Sequence, residues 1–313
     1  MNILSITGPI YLIIAGGFLS VRLGLFEKRD TRALGTFVAN FCLPALLFRT
    51  LGSRNIDDVL DLRYMLAYAF GSLTVLLGTY FVMRRLRGAL SAKAALLGLG
   101  MSSSNSAYIG FPIASQLLGP AAAAGLALVM LVENVLMVPL ALALAESSEG
   151  GHRSWRDALA PLRRLARNPM ILAIAAGFMV ALLDVEVPEV IARTVQIVAA
   201  AASPTSLFVI GGTLVGLRLR GVRREVALVT FGKLVVHPLA VLLFLELLRP
   251  ADASLRTAGV IYAMVPMLSI YPILAQKYHL EDFAAAALLV TTVVAFGSIS
   301  LWLWVLHTLL GWS

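Results

Sequence analysis

Apolar runs of roughly 20 residues recur along the whole chain, and each is long enough to cross a bilayer as an α-helix. In hydrocarbon every backbone amide must find its partner within the protein, so these runs restrict the chain to helices and to helix breaks shielded by protein. Composition agrees. Of 313 residues 59% are hydrophobic and 13% are charged, mean hydropathy is +0.89, and ordinary soluble domains carry about 25% charge. The sequence reads as an all-α polytopic membrane protein. Spans at 3–24, 33–51, 64–83, 94–116, 122–145, 169–187, 190–217, 225–248, 256–277 and 281–309 give ten transmembrane helices. The first run lacks the basic start and small-residue cleavage site of a signal peptide and is read as a span.

The net charge of +8 does not point to nucleic acid, because the basic residues sit in short loops between apolar runs. One set of loops carries Lys28, Arg29, Arg32, Arg84, Arg85, Arg87, Lys93, Arg153, Arg156, Arg163, Arg164, Arg167, Arg218, Arg220, Arg223, Arg224 and Lys277. The opposite loops carry Arg54, Arg63, Arg249 and Arg256, with Arg49 nearby. The positive-inside rule makes the first set cytoplasmic, so both termini face out of the cytoplasm across the cell (inner) membrane. The single cysteine, Cys42, excludes an internal disulfide and reads as a buried apolar residue.

The longest polar connection, 146–168, separates a first five-helix repeat (1–145) from a second (169–313). Because five is odd, related halves would have inverted topology. FCLPALLFRTLG around Pro44 and AASPTSLFVIGGTL around Pro204 are offset by 160 residues, and Phe111-Pro112 and Tyr271-Pro272 share that offset.

The fourth span contains MSSSNSAYIGFPIASQ (101–116) and the ninth contains MVPMLSIYPILAQ. Proline removes an amide hydrogen and clashes with the carbonyl four residues back. Pro112 is therefore expected to free the carbonyl of Tyr108, Pro266 that of Tyr262, and Pro272 that of Leu268, with Gly110 loosening the backbone beside the first break. Serines and Asn105 can satisfy the freed groups or line a polar cavity. Paired interruptions in two halves point to a carrier's substrate site, and half-helix amino ends there suit a carboxylate.

Ionisable groups inside spans are costly and face the bundle interior. Glu133 lies near the centre of the fifth span, and Lys233 and His237 lie one turn apart on one face of the eighth. Lys233 either holds an anionic substrate or pairs with Glu133. His237 either relays protons, given its near-neutral titration, or is a satisfied interior histidine. Trp302 and Trp304 read as interfacial or lipid-facing anchors. No metal-ligand cluster, phosphate loop or nucleophile constellation stands out, so neither an enzyme nor a cofactor is expected.

The run Asn105-Ser106-Ala107-Tyr108-Ile109-Gly110-Phe111-Pro112 resembles the N-[ST]-x-x-x-G-x-P pattern of the auxin efflux carrier family, which includes plant PIN carriers and bacterial malonate or malate permeases. Asn40, Leu43, Pro44 and Phe48 resemble that family's N-x-x-L-P-x-x-x-F motif, and Pro272 to Tyr278 is similar to its ninth-helix ending. The resemblance implies an elevator carrier with a scaffold of helices 1, 2, 6 and 7 and a moving domain of helices 3–5 and 8–10. Helices 4 and 9 would cross at the site, and the protein would dimerise through the scaffold. By position, Asn105, Pro112 and Pro272 then look like crossover residues, with Ser104, Ser106, Tyr108 and Ser269 lining the site. Met267-Leu268 departs from the glutamine-glycine pair frequent in plant members, and an indole acid is not implied. The expected activity is secondary transport of a small organic anion, a dicarboxylate such as malonate or malate, with proton coupling through Glu133 or His237. The alternative is a sodium-coupled carrier of the bile-acid or antiporter type. A receptor would need an attached signalling domain, for which the 146–168 connection is too short.

Overall fold

The structure, a computed structural model, describes residues 3–52, 61–146, 166–216, 224–308 and 311. Most of the 146–168 connection lies outside the described residues, as do Arg54, Arg153, Arg156, Arg163, Arg164, Arg218, Arg220 and Arg223. All described secondary structure is helical. In chain order the helices are α1 (Ile3–Arg22), α2 (Lys28–Gly52), α3 (Leu62–Arg87), α4 (Ser91–Ser102), α5 (106–118), α6 (Pro120–Glu146), α7 (Pro169–Leu182), α8 (Glu189–Thr213), α9 (Arg224–Leu248), α10 (Ala253–Met264), α11 (Tyr271–Gln276) and α12 (Glu281–Thr308). Six of them, α2, α3, α6, α8, α9 and α12, are long and apolar enough to cross a membrane. Gly8–Arg22 and Pro169–Leu182 are shorter apolar helices. This is a multi-pass membrane protein.

The chain packs as two compact units, one formed by Met1–Asp61, Ala107–Leu128 and Arg163–Leu217, the other by Leu62–Ser106, Val129–Leu162 and Arg218–Ser313. In the first, α1 packs on α8 where Gly17 meets the Phe208 backbone and Gly211 meets the Ile14 backbone. In the same unit α7 packs on α2, where Gly177 faces Phe48 and Leu51. In the second unit, Gly71 of α3 lies against Val241 of α9, and Gly98 of α4 lies against the Leu76 carbonyl of α3. Lipid tails are as apolar as leucine, so membrane helices gain by close van der Waals approach, which small residues permit.

Four helices contain a wide, π-type turn: Val38–Cys42, Ser106–Gly110, Val132–Met137 and Gly232–Val236. Each ends two residues before a proline, namely Pro44, Pro112, Pro139 and Pro238. The wide turn displaces the carbonyl that the proline ring would strike. The amides of Leu43, Val138 and His237 reach back instead to Val38, Glu133 and Gly232. One carbonyl set free in this way has an identifiable partner. Leu234 O, four residues before Pro238, accepts the indole Nε1–H of Trp302 at 2.8 Å. Trp302 is therefore buried, not the lipid-facing anchor expected from its place near the chain's end, whereas Trp304 is exposed.

The wide turns also move the first interruption. Gly110 and Pro112 were expected to break the helix, but α5 runs through both and the break falls at 103–105. Pro266 lies inside the second interruption, 265–270. Pro272 occupies the first turn of α11, where no amide hydrogen is required. The Leu268 carbonyl, expected to be freed, accepts the Tyr271 N–H at 3.0 Å.

A Cβ on Gly71 would lie 2.7 Å from Val241 Cα, a backbone atom that cannot step aside, whereas one on Gly78 of the same helix meets nothing within 4 Å. Gly71→Ala is expected to lower stability by about 1–3 kcal/mol through overpacking. Gly78→Ala is expected to raise it by up to about 1 kcal/mol through helix propensity. Thermal unfolding of the detergent-solubilised protein distinguishes the two signs.

Candidate functional site

Between α4 and α5 the backbone is extended at Ser103 (φ −113°, ψ 147°), and the amides that follow cannot bond within a helix. They find partners far away in sequence. The Asn105 N–H donates to Pro266 O at 2.7 Å, inside the other interruption. The Ser104 N–H donates to Glu133 Oε1 at 2.8 Å. The Asn105 side chain adds a second tie between the two breaks, its Nδ2 donating to Ser269 Oγ at 2.7 Å. Asn105 is buried and Ser269 is exposed, so this tie joins a buried side chain to an exposed one.

Glu133 is 1% exposed. Its Oε1 accepts from the Ser104 N–H, from the Tyr68 hydroxyl at 3.1 Å and from Ser106 Oγ at 3.4 Å. Among the described residues its Oε2 is buried with no hydrogen-bond partner, as is Ser103 Oγ. The carboxylate thus lies at the amino end of α5, where aligned peptide dipoles favour negative charge. The sequence reading left that position for a substrate carboxylate. In the structure the protein's own glutamate fills it.

Lys233 is fully buried. Its Nζ donates to Ser104 Oγ, to the Ala263 carbonyl and to His237 Nδ1, each at 2.7 Å. An ammonium has three protons, so all are engaged. His237 Nδ1 also lies 3.2 Å from the Ala263 carbonyl; with Nδ1 assigned as acceptor of the Lys233 ammonium, that contact carries no proton and the ring proton is assigned to Nε2, facing Ser72 Oγ at 2.9 Å. The Tyr68 ring stands edge-on to His237 at 5.9 Å between centroids. Lys233 and Glu133 form no direct ion pair among the described residues; Ser104 joins them, amide to carboxylate and hydroxyl to ammonium.

The structure therefore brings together Ser104, Asn105, Ser106, Glu133, Lys233, His237, Pro266 and Ser269 within one unit. Tyr108, Gly110 and Pro112 belong to the other unit, where the Tyr108 hydroxyl donates to the Gly35 carbonyl of α2 at 2.8 Å. Tyr68 and Ser72 were missed by the sequence reading. They stand one turn apart in an apolar span, and that spacing was the available signal. Tyr271 was noted only as an aromatic before proline, yet its hydroxyl binds the Leu96 carbonyl of α4 at 2.9 Å. No group of three or more His, Cys, Asp or Glu that could hold a metal occurs among the described residues.

Glu133→Ala would leave the buried Ser104 amide without an acceptor. It is expected to cost about 1–3 kcal/mol for that donor alone, before any cavity cost. Glu133→Gln keeps a carbonyl oxygen for the Ser104 amide and is expected to unfold at a clearly higher temperature than Glu133→Ala in a thermal melt.

The sequence profile of the family described as "Membrane transport protein" matches residues 5–303. A protein of Rhizobium meliloti (strain 1021) named "Putative malonate transporter" is 28% identical over 294 residues, covering 93% of this chain and 92% of that protein. The "Uncharacterized transporter YfdV" of Escherichia coli (strain K12) is 27% identical over 305 residues, covering 95% of each chain. The "Lysosomal cholesterol signaling protein" of Mus musculus is 24% identical across 90% of this chain, which spans 35% of that protein. With a family match over nearly its whole length, the chain is a membrane transporter, not an enzyme, and belongs to the membrane transport protein family, the auxin efflux carrier family.

Proposed function

We propose that this chain is a secondary carrier of a small organic anion, a dicarboxylate such as malonate or malate, across the cell membrane. The observation that carries the reading is the tie between the two helix interruptions, Asn105 Nδ2 to Ser269 Oγ at 2.7 Å, with its outer partner exposed. A neutral amide and hydroxyl at an accessible break can exchange this mutual bond for bonds to a carboxylate. Similarity to the protein named for malonate supports the substrate class. Lys233, whose protons are engaged within the protein, is assigned to the internal charge arrangement and not to substrate.

The elevator mechanism assigns ten spans in inverted halves, with α1, α2, α7 and α8 fixed and the helices around the interruptions moving. The packing of α1, α2, α7 and α8 in one unit, and of α3, α4 and α9–α12 in the other, supports it. The first unit also takes in α5 and the first turns of α6. Dimerisation through the fixed helices, and termini outside the cytoplasm, complete the reading. Coupling is assigned to a proton. Glu133 offers a buried Oε2, unpartnered among the described residues, to receive one, and His237 carries a second titratable site in the same hydrogen-bonded chain.

Uptake of labelled malonate and malate by proteoliposomes tests the proposal. Asn105→Ala is expected to lower initial uptake by at least about tenfold, the factor that about 1.4 kcal/mol of lost binding gives. Absence of uptake by the wild type, or unchanged uptake by the variant, would refute it. A proton taken up with the anion makes uptake faster when the lumen is more alkaline than the bath. In choline buffer an inside-alkaline gradient is therefore expected to accelerate uptake and Glu133→Gln to abolish the acceleration. Uptake driven by a sodium gradient and indifferent to pH would instead favour the sodium-coupled alternative.

A further inference from the structure

Buried lysines are usually neutralised by direct contact with a carboxylate, and Lys233 is not. Its ammonium is held by three uncharged acceptors from three separate parts of the second unit. These are the hydroxyl of Ser104 in the first interruption, the carbonyl of Ala263 in the last turn of α10, and the ring nitrogen of His237 in α9. That last carbonyl belongs to a helix carboxyl end, which favours positive charge. The counter-charge, Glu133, stands one residue removed behind the Ser104 amide. Neutral ligands inside, with a carboxylate behind them, are how a protein encloses a small monovalent cation, and here the cation is tethered.

We propose that Ser104 Oγ, Ala263 O and His237 Nδ1 form a monovalent-cation site whose resident ion is the protein's own Lys233 ammonium. The site bridges the two helix interruptions, since Ser104 lies in one and Ala263 immediately precedes the other. A soluble coupling cation therefore has no vacancy there in the wild type. Removing the side chain beyond Cβ vacates it for a free ion of the same chemistry. Methylammonium reproduces the Cε and Nζ atoms of the lysine, and the imidazole nitrogen among the ligands favours an ammonium over an alkali ion. The inference rests on the buried network and not on which anion is carried, so a failure of malonate uptake would leave it standing.

The test is the melting temperature of the full-length protein in detergent at fixed ionic strength, with choline chloride replaced stepwise by methylammonium, sodium or lithium chloride. The wild type is expected to be indifferent to the exchange. Lys233→Ala is expected to gain at least about 3 °C in a saturable manner with methylammonium, and less with sodium. Lys233→Met, which fills the space without a charge, and the double variant Lys233→Ala with Ser104→Ala are expected to show no such gain. Recovery of Lys233→Ala only when methylammonium is present throughout purification is the same result in another form. Saturable stabilisation of the wild type by sodium or lithium would overturn the proposal. So would a Lys233→Ala protein that responds alike to choline and methylammonium, or one recovered under neither condition while Lys233→Met is recovered. If sodium or lithium stabilises the wild type, that result overturns the proposal whether or not any variant folds.

Discussion

The Asn105 N–H bonded to Pro266 O holds the site together. Two stretches of non-helical backbone inside an apolar protein each leave peptide groups that cost several kcal/mol when unsatisfied. Neither stretch satisfies all of these groups alone. By donating across to the second interruption, the first removes one orphan from each, and the pairing sets the relative positions of Ser104, Ala263 and Ser269. Glu133 and Lys233 then take up two more backbone groups, the carboxylate binding the Ser104 amide near a helix amino end and the ammonium binding the Ala263 carbonyl at a helix carboxyl end. The charges match the local dipoles, which is how a glutamate and a lysine can both be nearly fully buried without touching.

The wide turns fit the same pattern. Three of the ionisable or polar residues at the site, Ser106, Glu133 and Lys233, sit inside them. Proline two residues beyond each turn forces the helix to open by one residue, rotating the side chains that follow and exposing carbonyls to new partners, as Leu234 O shows with Trp302. A helix that carries proline this way stays continuous, and the true breaks are left to the serine-rich stretch at 103–105 and to the segment around Pro266.

Much of this could be read from the chain. The run of four serines and Asn105 inside a hydrophobic span marked a place where a helix would not continue, and Glu133, Lys233 and His237 were conspicuous because charges are rare in such spans. The reading placed the break at Gly110 and Pro112 because it treated proline as a helix breaker, not as the partner of a wide turn. It left Lys233 between substrate and Glu133. In the structure Lys233 does not meet Glu133 directly, because Ser104 stands between them. Tyr68 and Ser72 passed unnoticed because a tyrosine and a serine in an apolar helix are unremarkable until something is seen to bind them.

What the sequence determined by itself was local in origin: membrane class from hydropathy, the spans in which a helix is interrupted from serine, asparagine and proline, the sidedness expected from basic loops, and membership of a transporter family from the pattern around Asn105. The tertiary structure decided which group satisfies which. Tyr68 and Glu133 are 65 residues apart in the chain, Lys233 and Ser104 are 129 apart, and Ser72 and His237 are 165 apart. Hydrogen bonds at such separations leave no periodicity or spacing in one sequence. They exist because packing brings the donors and acceptors into a medium without water, where each has to be matched.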